Sequence, residues 1–173
     1  MDDCIFCKIA RREIAVKAVG MNDSAIAFLD INPVAPGHTV VITKKHAATL
    51  MDMNDADIAS LFSLVRTATR QIKAGLKCDG FNIGLNQEKA GGQAIPHVHV
   101  HVIPRFDGDG GGSMHSIVRN PPKENIDAVY KKIKDAEPVK EQAPEPEPEQ
   151  EAKPVEKEED RTKKMLKDWE LDL

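Results

Sequence analysis

Between Pro96 and Pro104 the chain reads His97-Val98-His99-Val100-His101-Val102-Ile103, an unbroken polar–apolar alternation. Only a β-strand has a side-chain period of two, so this segment predicts a strand with Val98, Val100 and Val102 on one face and three histidines on the other. The valine face must be buried by other elements. Pro104 is expected to stop the strand, because it has no N–H to give to a ladder. Three histidines in one row admit several readings. They are a polar strand face open to solvent, a chance cluster, a metal site built on His-x-His, or a nucleophile with its helpers. The row by itself does not separate metal from nucleophile.

The rest of the chain supplies what such a strand needs. Ile5 to Arg12 suits a short helix. Ala25–Leu29 and Thr39–Thr43 read as strands, the second rich in β-branched residues, with Pro33 and Gly37 in the turn between them. Asn54 to Lys77 is the clearest helix. Asn54 caps it, and Ile58, Leu61, Phe62, Val65, Ile72 and Leu76 keep the three–four spacing of a buried face. Asp79-Gly80 ends it. Phe81–Leu85 reads as a further strand, followed by a turn-rich loop from Asn86 to Pro96. Gly108 to Gly112 reads as a flexible loop, and Ile126, Val129, Tyr130 and Ile133 mark a last helix. Short connections favour antiparallel pairing. The expectation is an α+β fold: an antiparallel sheet with a long helix and short helices, the helices on one face.

The chain has 173 residues and a net charge of −4, and that charge is uneven. Residues 136–173 carry 13 acidic and 7 basic side chains, a net of −6, which leaves +2 for residues 1–135. A slightly basic domain with an acidic tail suits a small anionic substrate and not a nucleic acid duplex. The run Pro144-Glu145-Pro146-Glu147-Pro148-Glu149 buries too little apolar surface to offset its ordering entropy. The predicted organisation is therefore a domain over 1–135 and a largely disordered Pro/Glu-rich tail over 136–173, with a short helix around Arg161 to Trp169. The tail is either a solvated appendage or a partner site through Trp169, Leu171 and Leu173. No apolar run approaches the roughly 18 residues that span a bilayer, and the N-terminus has no basic-then-apolar leader. These features point to the cytoplasm. Cysteine usage agrees: three residues, two of them as Cys4-x-x-Cys7, read in a reducing compartment as metal-binding or redox thiols. Cys78, just beyond the long helix, reads as a packing residue.

The segment from Asn86 through Gly91-Gly92-Gln93 to His97-Val-His-Val-His-Val-Ile-Pro104-Arg105 resembles the signature of the histidine triad (HIT) family of nucleotide hydrolases and transferases. Ile5-Phe6-Cys7-Lys8-Ile9, Ala27-Phe28-Leu29-Asp30-Ile31-Asn32-Pro33 and Pro36-Gly37-His38-Thr39-Val40-Val41-Ile42 match the family in its usual order. The similarity spans about Cys4 to Arg105 and weakens toward Asp135.

The resemblance implies a nucleotide-binding hydrolase that works through a nucleotidyl-histidine, on nucleoside phosphoramidates, dinucleoside polyphosphates or related adenylates. His99 takes the position of the attacking histidine; a neutral imidazole is a competent nucleophile near pH 7. His101 falls on phosphate contact and proton donation to the leaving group, and His38 on the fourth histidine that supports the site. Asn86, Gly92 and Gln93 match positions around the phosphate. Asp30 matches the carboxylate that accepts from ribose hydroxyls. Ile5, Phe6, Ile9, Phe28, Ile31 and Val40 match a mainly apolar slot for a purine base, which discriminates little between bases. The family resemblance also implies a homodimer paired through the long helix and a strand into one continuous sheet. No organic cofactor is expected.

Many microbial members of that family are similar to this chain at Cys4 and Cys7, and add His46 and His97 to complete a structural zinc site. If Thr39–Thr43 pairs antiparallel with His97–Ile103, His46 falls near His97 and away from His101. Two free thiols near a mobile terminus are the plain alternative. Two rival functions also stand: a metal-dependent phosphoester hydrolase with His97, His99 and His101 as ligands, and a non-catalytic nucleotide-binding regulator.

Overall fold

A computed structural model describes residues 3–138. The chain opens with helix α1 (Ile5–Ala10) and then lays down strands β1 (Ala18–Met21), β2 (Ala25–Leu29) and β3 (Thr39–Thr43). Helix α2 (Asp55–Leu76) follows, then strands β4 (Gly80–Gly84) and β5 (His99–Arg105), and finally helix α3 (Ile126–Asp135). The strands form one antiparallel sheet in the order β1-β2-β3-β5-β4. The α+β expectation holds. Among the described residues no helix is long and apolar enough to cross a membrane. The expected tail features, including the helix near Arg161 to Trp169, lie outside the described residues.

The valine half of the alternation does what its period requires. Val98, Val100 and Val102 are fully buried and pack in one core with Leu61, Leu64, Val65, Ala68 and Ile72 of α2. Asn54 caps α2 by accepting from the Asp57 N–H at 2.8 Å, a contact that contributes about 1 kcal/mol. The helix ends where Lys77 adopts the left-handed conformation. The buried stripe is centred differently from the sequence reading. Leu64 and Ala68 are inside, whereas Phe62 and Leu76 are 41% and 44% exposed.

The helices are not all on one face. Ala25 to Phe28 and Thr39 to Thr43 are buried without alternation, so these strands need cover on both sides. On the side away from α2, Phe6 and Ile9 of α1 pack on Ile26, Phe28, Val40 and Ile42. This second layer is the histidine side of the sheet, because His99 pairs with Ile42 and His101 with Val40.

Several strand limits differ from expectation: β5 begins at His99 and not at His97, and β4 runs one residue earlier than Phe81–Leu85. Strand β1 is short, contains Gly20 and carries a bulge, which leaves no alternation to read. Pro104 does not stop β5; the strand continues to Arg105, with Pro104 opposite Phe81. Pairing to β3 ends at Val102, so Pro104 sits where only β4 flanks the strand, as a proline tolerates.

Candidate active site and metal cluster

The three histidines lie on one side of the sheet, His99 and His101 on β5 and His97 in the bend before it, and have three different surroundings. His97, fully buried just before β5, donates from Nε2 to the Thr43 carbonyl at 2.9 Å, with the Thr43 hydroxyl at 3.1 Å. Its Nδ1 therefore carries a lone pair. That nitrogen faces Cys4 Sγ at 3.5 Å and Cys7 Sγ at 3.6 Å, and Cys7 Sγ is 3.3 Å from His46 Nδ1. Burial holds His97 neutral, its pKa lowered to about 4 with further lowering by His46 and His99, against the raising effect of the Thr43 bond.

Cys4, Cys7, His46 and His97 bring their ligand atoms within 4.8 Å of one another. Zinc–sulfur and zinc–nitrogen bonds of about 2.3 and 2.0 Å at a tetrahedral angle put S and N roughly 3.5 Å apart. The observed sulfur–nitrogen spacings match that figure, so the four residues fit a closed tetrahedral ion. Without a cation, burial and the neighbouring Cys4 push the Cys7 thiol up; a bound metal reverses that by taking the thiolate. The register produces this cluster: His99 opposite Ile42 brings the residues before β5 beside those after β3.

His99 is buried and its Nδ1 lies 2.7 Å from the carbonyl oxygen of His97. A carbonyl only accepts, so Nδ1 carries the proton and Nε2 keeps its lone pair. Phe6 covers the ring, with centroids 5.2 Å apart.

His101 is half-buried and turns the other way, its Nδ1 3.0 Å from His38 Nε2. The Val34 N–H donates to His38 Nδ1 at 3.4 Å. His38 must then carry its proton on Nε2 and donate to His101, which leaves the His101 proton on its own Nε2. Asp30 Oδ2 lies 3.6 Å from His38 Nδ1, while Asp30 Oδ1 accepts from the Asn32 N–H at 2.8 Å. Burial lowers the pKa of His38, opposed by Asp30. Burial, His99 and His38 lower that of His101, again opposed by Asp30.

The remaining candidates divide. Phe6, Ile9, Phe28 and Val40 come together in one buried cluster. Ile5 sits on the exposed side of α1, and Ile31 is 84% exposed, outside that cluster. Gly92 has a φ of +83° that strains any other residue, and its open side faces Asn86. Gln93 is engaged in the loop: its side chain accepts from the Glu88 N–H at 2.8 Å and donates to the Ala48 carbonyl at 2.7 Å. It ties the loop before β5 to the segment after β3.

Sequence reasoning missed Thr43 and Val34, which set the tautomers of His97 and His38. Neither carries a sequence signal, since one acts through a backbone carbonyl and the other through a backbone amide. It also missed Arg105. The Gly108–Gly112 segment is anchored, not loose: Arg105 forms a two-point contact with Asp109 at 2.7 and 2.6 Å and donates to the Gly112 carbonyl at 2.9 Å.

The HIT domain family model matches residues 11–108, and the chain belongs to the HIT family. An uncharacterized HIT-like protein of Methanocaldococcus jannaschii is 40% identical over 131 residues, covering 76% of this chain and 98% of that protein. An adenosine 5'-monophosphoramidase of Schizosaccharomyces pombe is 35% identical over 59% of this chain and 74% of its own length. An adenylylsulfatase of Arabidopsis thaliana is 36% identical over 62% of this chain and 55% of its own. Among crystal structures, a HIT family member from Bacillus subtilis superposes with a TM-score of 0.68 at 30% identity, covering 80% of this chain and 99% of that one. A zinc-bound histidine triad protein from Mycobacterium smegmatis gives 0.61 at 32% identity, covering 70% and 86%.

Proposed function

We propose that the chain is a nucleotide hydrolase or transferase that acts at the α-phosphorus of adenylates, with His99 as the nucleophile. The observation that carries this reading is the 2.7 Å contact from His99 Nδ1 to the His97 carbonyl, which leaves Nε2 free to attack. In the first step the His99 Nε2–P bond forms and the bond from phosphorus to the leaving group breaks. His101 takes up one proton from solvent as the anionic substrate binds; this imidazolium gives its Nε2 proton to the departing atom and returns to the neutral ring that His38 holds by its hydrogen bond. In the second step water attacks phosphorus and the N–P bond breaks. Water's proton returns to His101, and a nucleoside monophosphate is released.

Asp30 serves the ribose. Phe6, Ile9, Phe28 and Val40, with Ile5 and Ile31 at the rim, serve a purine. Asn86 and Gly92 serve the phosphate, and Gln93 holds their loop. The relatives named as a phosphoramidase and an adenylylsulfatase support this substrate class. Turnover of adenosine phosphoramidate by the purified chain, and its loss in His99→Ala with nucleotide binding retained, tests the reading.

Cys4, Cys7, His46 and His97 would hold a structural zinc ion, which fixes the segment entering β5 and supplies no open position to substrate. The rival in which the three triad histidines share a catalytic ion finds no support in the geometry. His97 Nδ1 faces the thiols, and His99 Nδ1 is engaged with a carbonyl. We further assign the domain to residues 1–135 and treat 136–173 as dispensable for chemistry. β4 ends the sheet in the described residues, and Phe62 and Leu76 of α2 are exposed, which favours a homodimer with a continuous sheet. Reduced thiols suit the cytoplasm.

A further inference from the structure

Helix α3 is amphipathic, and among the described residues its apolar face is uncovered. Ile126, Tyr130 and Ile133 recur at the i, i+4, i+7 spacing of one helix face and are 83%, 62% and 70% exposed. No residue of the helix is buried, and none belongs to either core cluster. Asn125 caps it by accepting from the Ala128 N–H at 2.9 Å, and Lys132 pairs with Glu124 at 2.6 Å. These contacts are local. A helix of 10 residues does not persist in water on local contacts alone, since isolated helices below about 12–15 residues are marginal. The apolar face of α3 therefore calls for a cover.

The chain carries a segment of matching pattern. In residues 161–173, which lie outside the described residues, Met165, Trp169 and Leu173 recur at i, i+4 and i+8, with Leu166 beside them. The charges match in one direction only. α3 is entered past Glu124 and Asp127, and its second half carries Lys131, Lys132 and Lys134. The tail segment runs the other way in sign: Arg161, Lys163, Lys164 and Lys167 come first, then Asp168, Glu170 and Asp172. Laid parallel, opposite charges meet at both ends; laid antiparallel, like charges meet. The intervening chain agrees. Residues 137–160 are far more than the roughly two to five that turn an antiparallel helix pair. A linker of that length reaches about 25 Å or more on average, enough to return along a helix about 15 Å long.

We propose that the apolar face of α3 is the docking surface for residues 161–173 of the same chain, laid along it as a parallel helix. A tethered segment meets the face at an effective concentration on the order of millimolar, which favours it over a second copy or another protein. Docking also removes an apolar patch that would otherwise drive association. Because α3 lies outside both cores, release of the tail leaves the main melting transition and the active site as they are.

Tyr130 on α3 and Trp169 in the tail are the only tyrosine and the only tryptophan of the chain, so energy transfer between them reads the contact directly. In the full-length chain Tyr130 emission should be quenched by transfer, and Trp169 emission should be shifted to the blue. Leu166→Asp lies in the tail and does not unfold α3 by itself; it should restore Tyr130 emission and move Trp169 emission to the red. Ile133→Asp should do the same from the other side of the contact. Amide hydrogen exchange in α3 should be about tenfold or more slower in the full-length chain than in the chain truncated at Glu137, as burial of one apolar side chain allows. A solvent-exposed Trp169 with fast exchange in α3 means a solvated tail and overturns the proposal. A buried Trp169 that leaves Tyr130 unquenched puts the tail elsewhere and overturns it too. Slow exchange in α3 that survives the truncation means that a second copy covers the face. Chains with Tyr130→Phe, refolded together with chains with Trp169→Phe, should show no transfer; transfer in that mixture means docking between copies and contradicts the same-chain assignment.

Discussion

The carbonyl oxygen of His97 lies 2.7 Å from the Nδ1 of His99, so a residue of the cysteine–histidine cluster directly orients the ring beside it. His97 is in turn held by the Thr43 carbonyl through its Nε2. The cluster and the candidate nucleophile are therefore one mechanical unit, joined by one hydrogen bond and by the backbone through Val98.

Zinc is expected to matter more for stability than for rate. Metal analysis should find one zinc per chain, and Cys4→Ser with Cys7→Ser should abolish it. The melting temperature should fall by on the order of 10 °C, with a smaller proportional change in kcat. Unchanged zinc content in the double variant would contradict the assignment.

Burial makes His38 and His101 poorer bases in the fold than in the unfolded chain, whose imidazoles titrate near 6.5. Between that value and the depressed folded values the unfolded state binds more protons. Stability is thus full above about pH 6.5 and is lost as pH falls through the depressed range. Urea unfolding at pH 7 and pH 5 should show this loss, and His38→Gln should reduce the difference. The same variant should lower kcat by roughly 10- to 100-fold, since it removes the partner of His101. A steeper pH dependence in His38→Gln would contradict the account.

Leu61 and Phe62 are neighbours on α2 with opposite fates, one fully buried and one 41% exposed. Leu61→Ala should destabilise by about 2–5 kcal/mol. Phe62→Asp should leave the protomer folded and shift the sedimentation mass from dimer to monomer. A monomeric wild-type chain would remove the proposed dimer.

Truncation at Glu137 should leave the melting temperature and kcat/KM nearly unchanged. A folded truncated chain with less than about a tenth of full activity, well beyond the usual effect of a surface change, would show that the tail takes part.

The sequence made the chemistry-bearing strand legible because a period of two is a strong signal, and Val98, Val100 and Val102 are buried as it demands. The family resemblance also implied His46 beside His97, and the antiparallel register of β3 and β5 agrees with it. Sequence reading failed where partners are set by backbone atoms or by the second layer. Nothing in the residue types reveals that Thr43 and Val34 fix two tautomers. Nor does α2-style periodicity reveal that a six-residue helix covers the other face of the sheet. Phe62 was misplaced because helical spacing locates a stripe but not its centre. The Gly108–Gly112 loop looked free because glycine signals a turn, and the anchoring pair Arg105 and Asp109 became visible only in three dimensions.

The most direct test of the nucleophile is mass spectrometry after rapid quenching with an adenylate under conditions that preserve acid-labile phosphoramidates. The account predicts a nucleotidyl adduct on the peptide spanning His97–His101, localised to His99, and absent from His99→Ala, which should also lose several orders of magnitude in kcat. An adduct on any other residue, or full activity in His99→Ala, would contradict it.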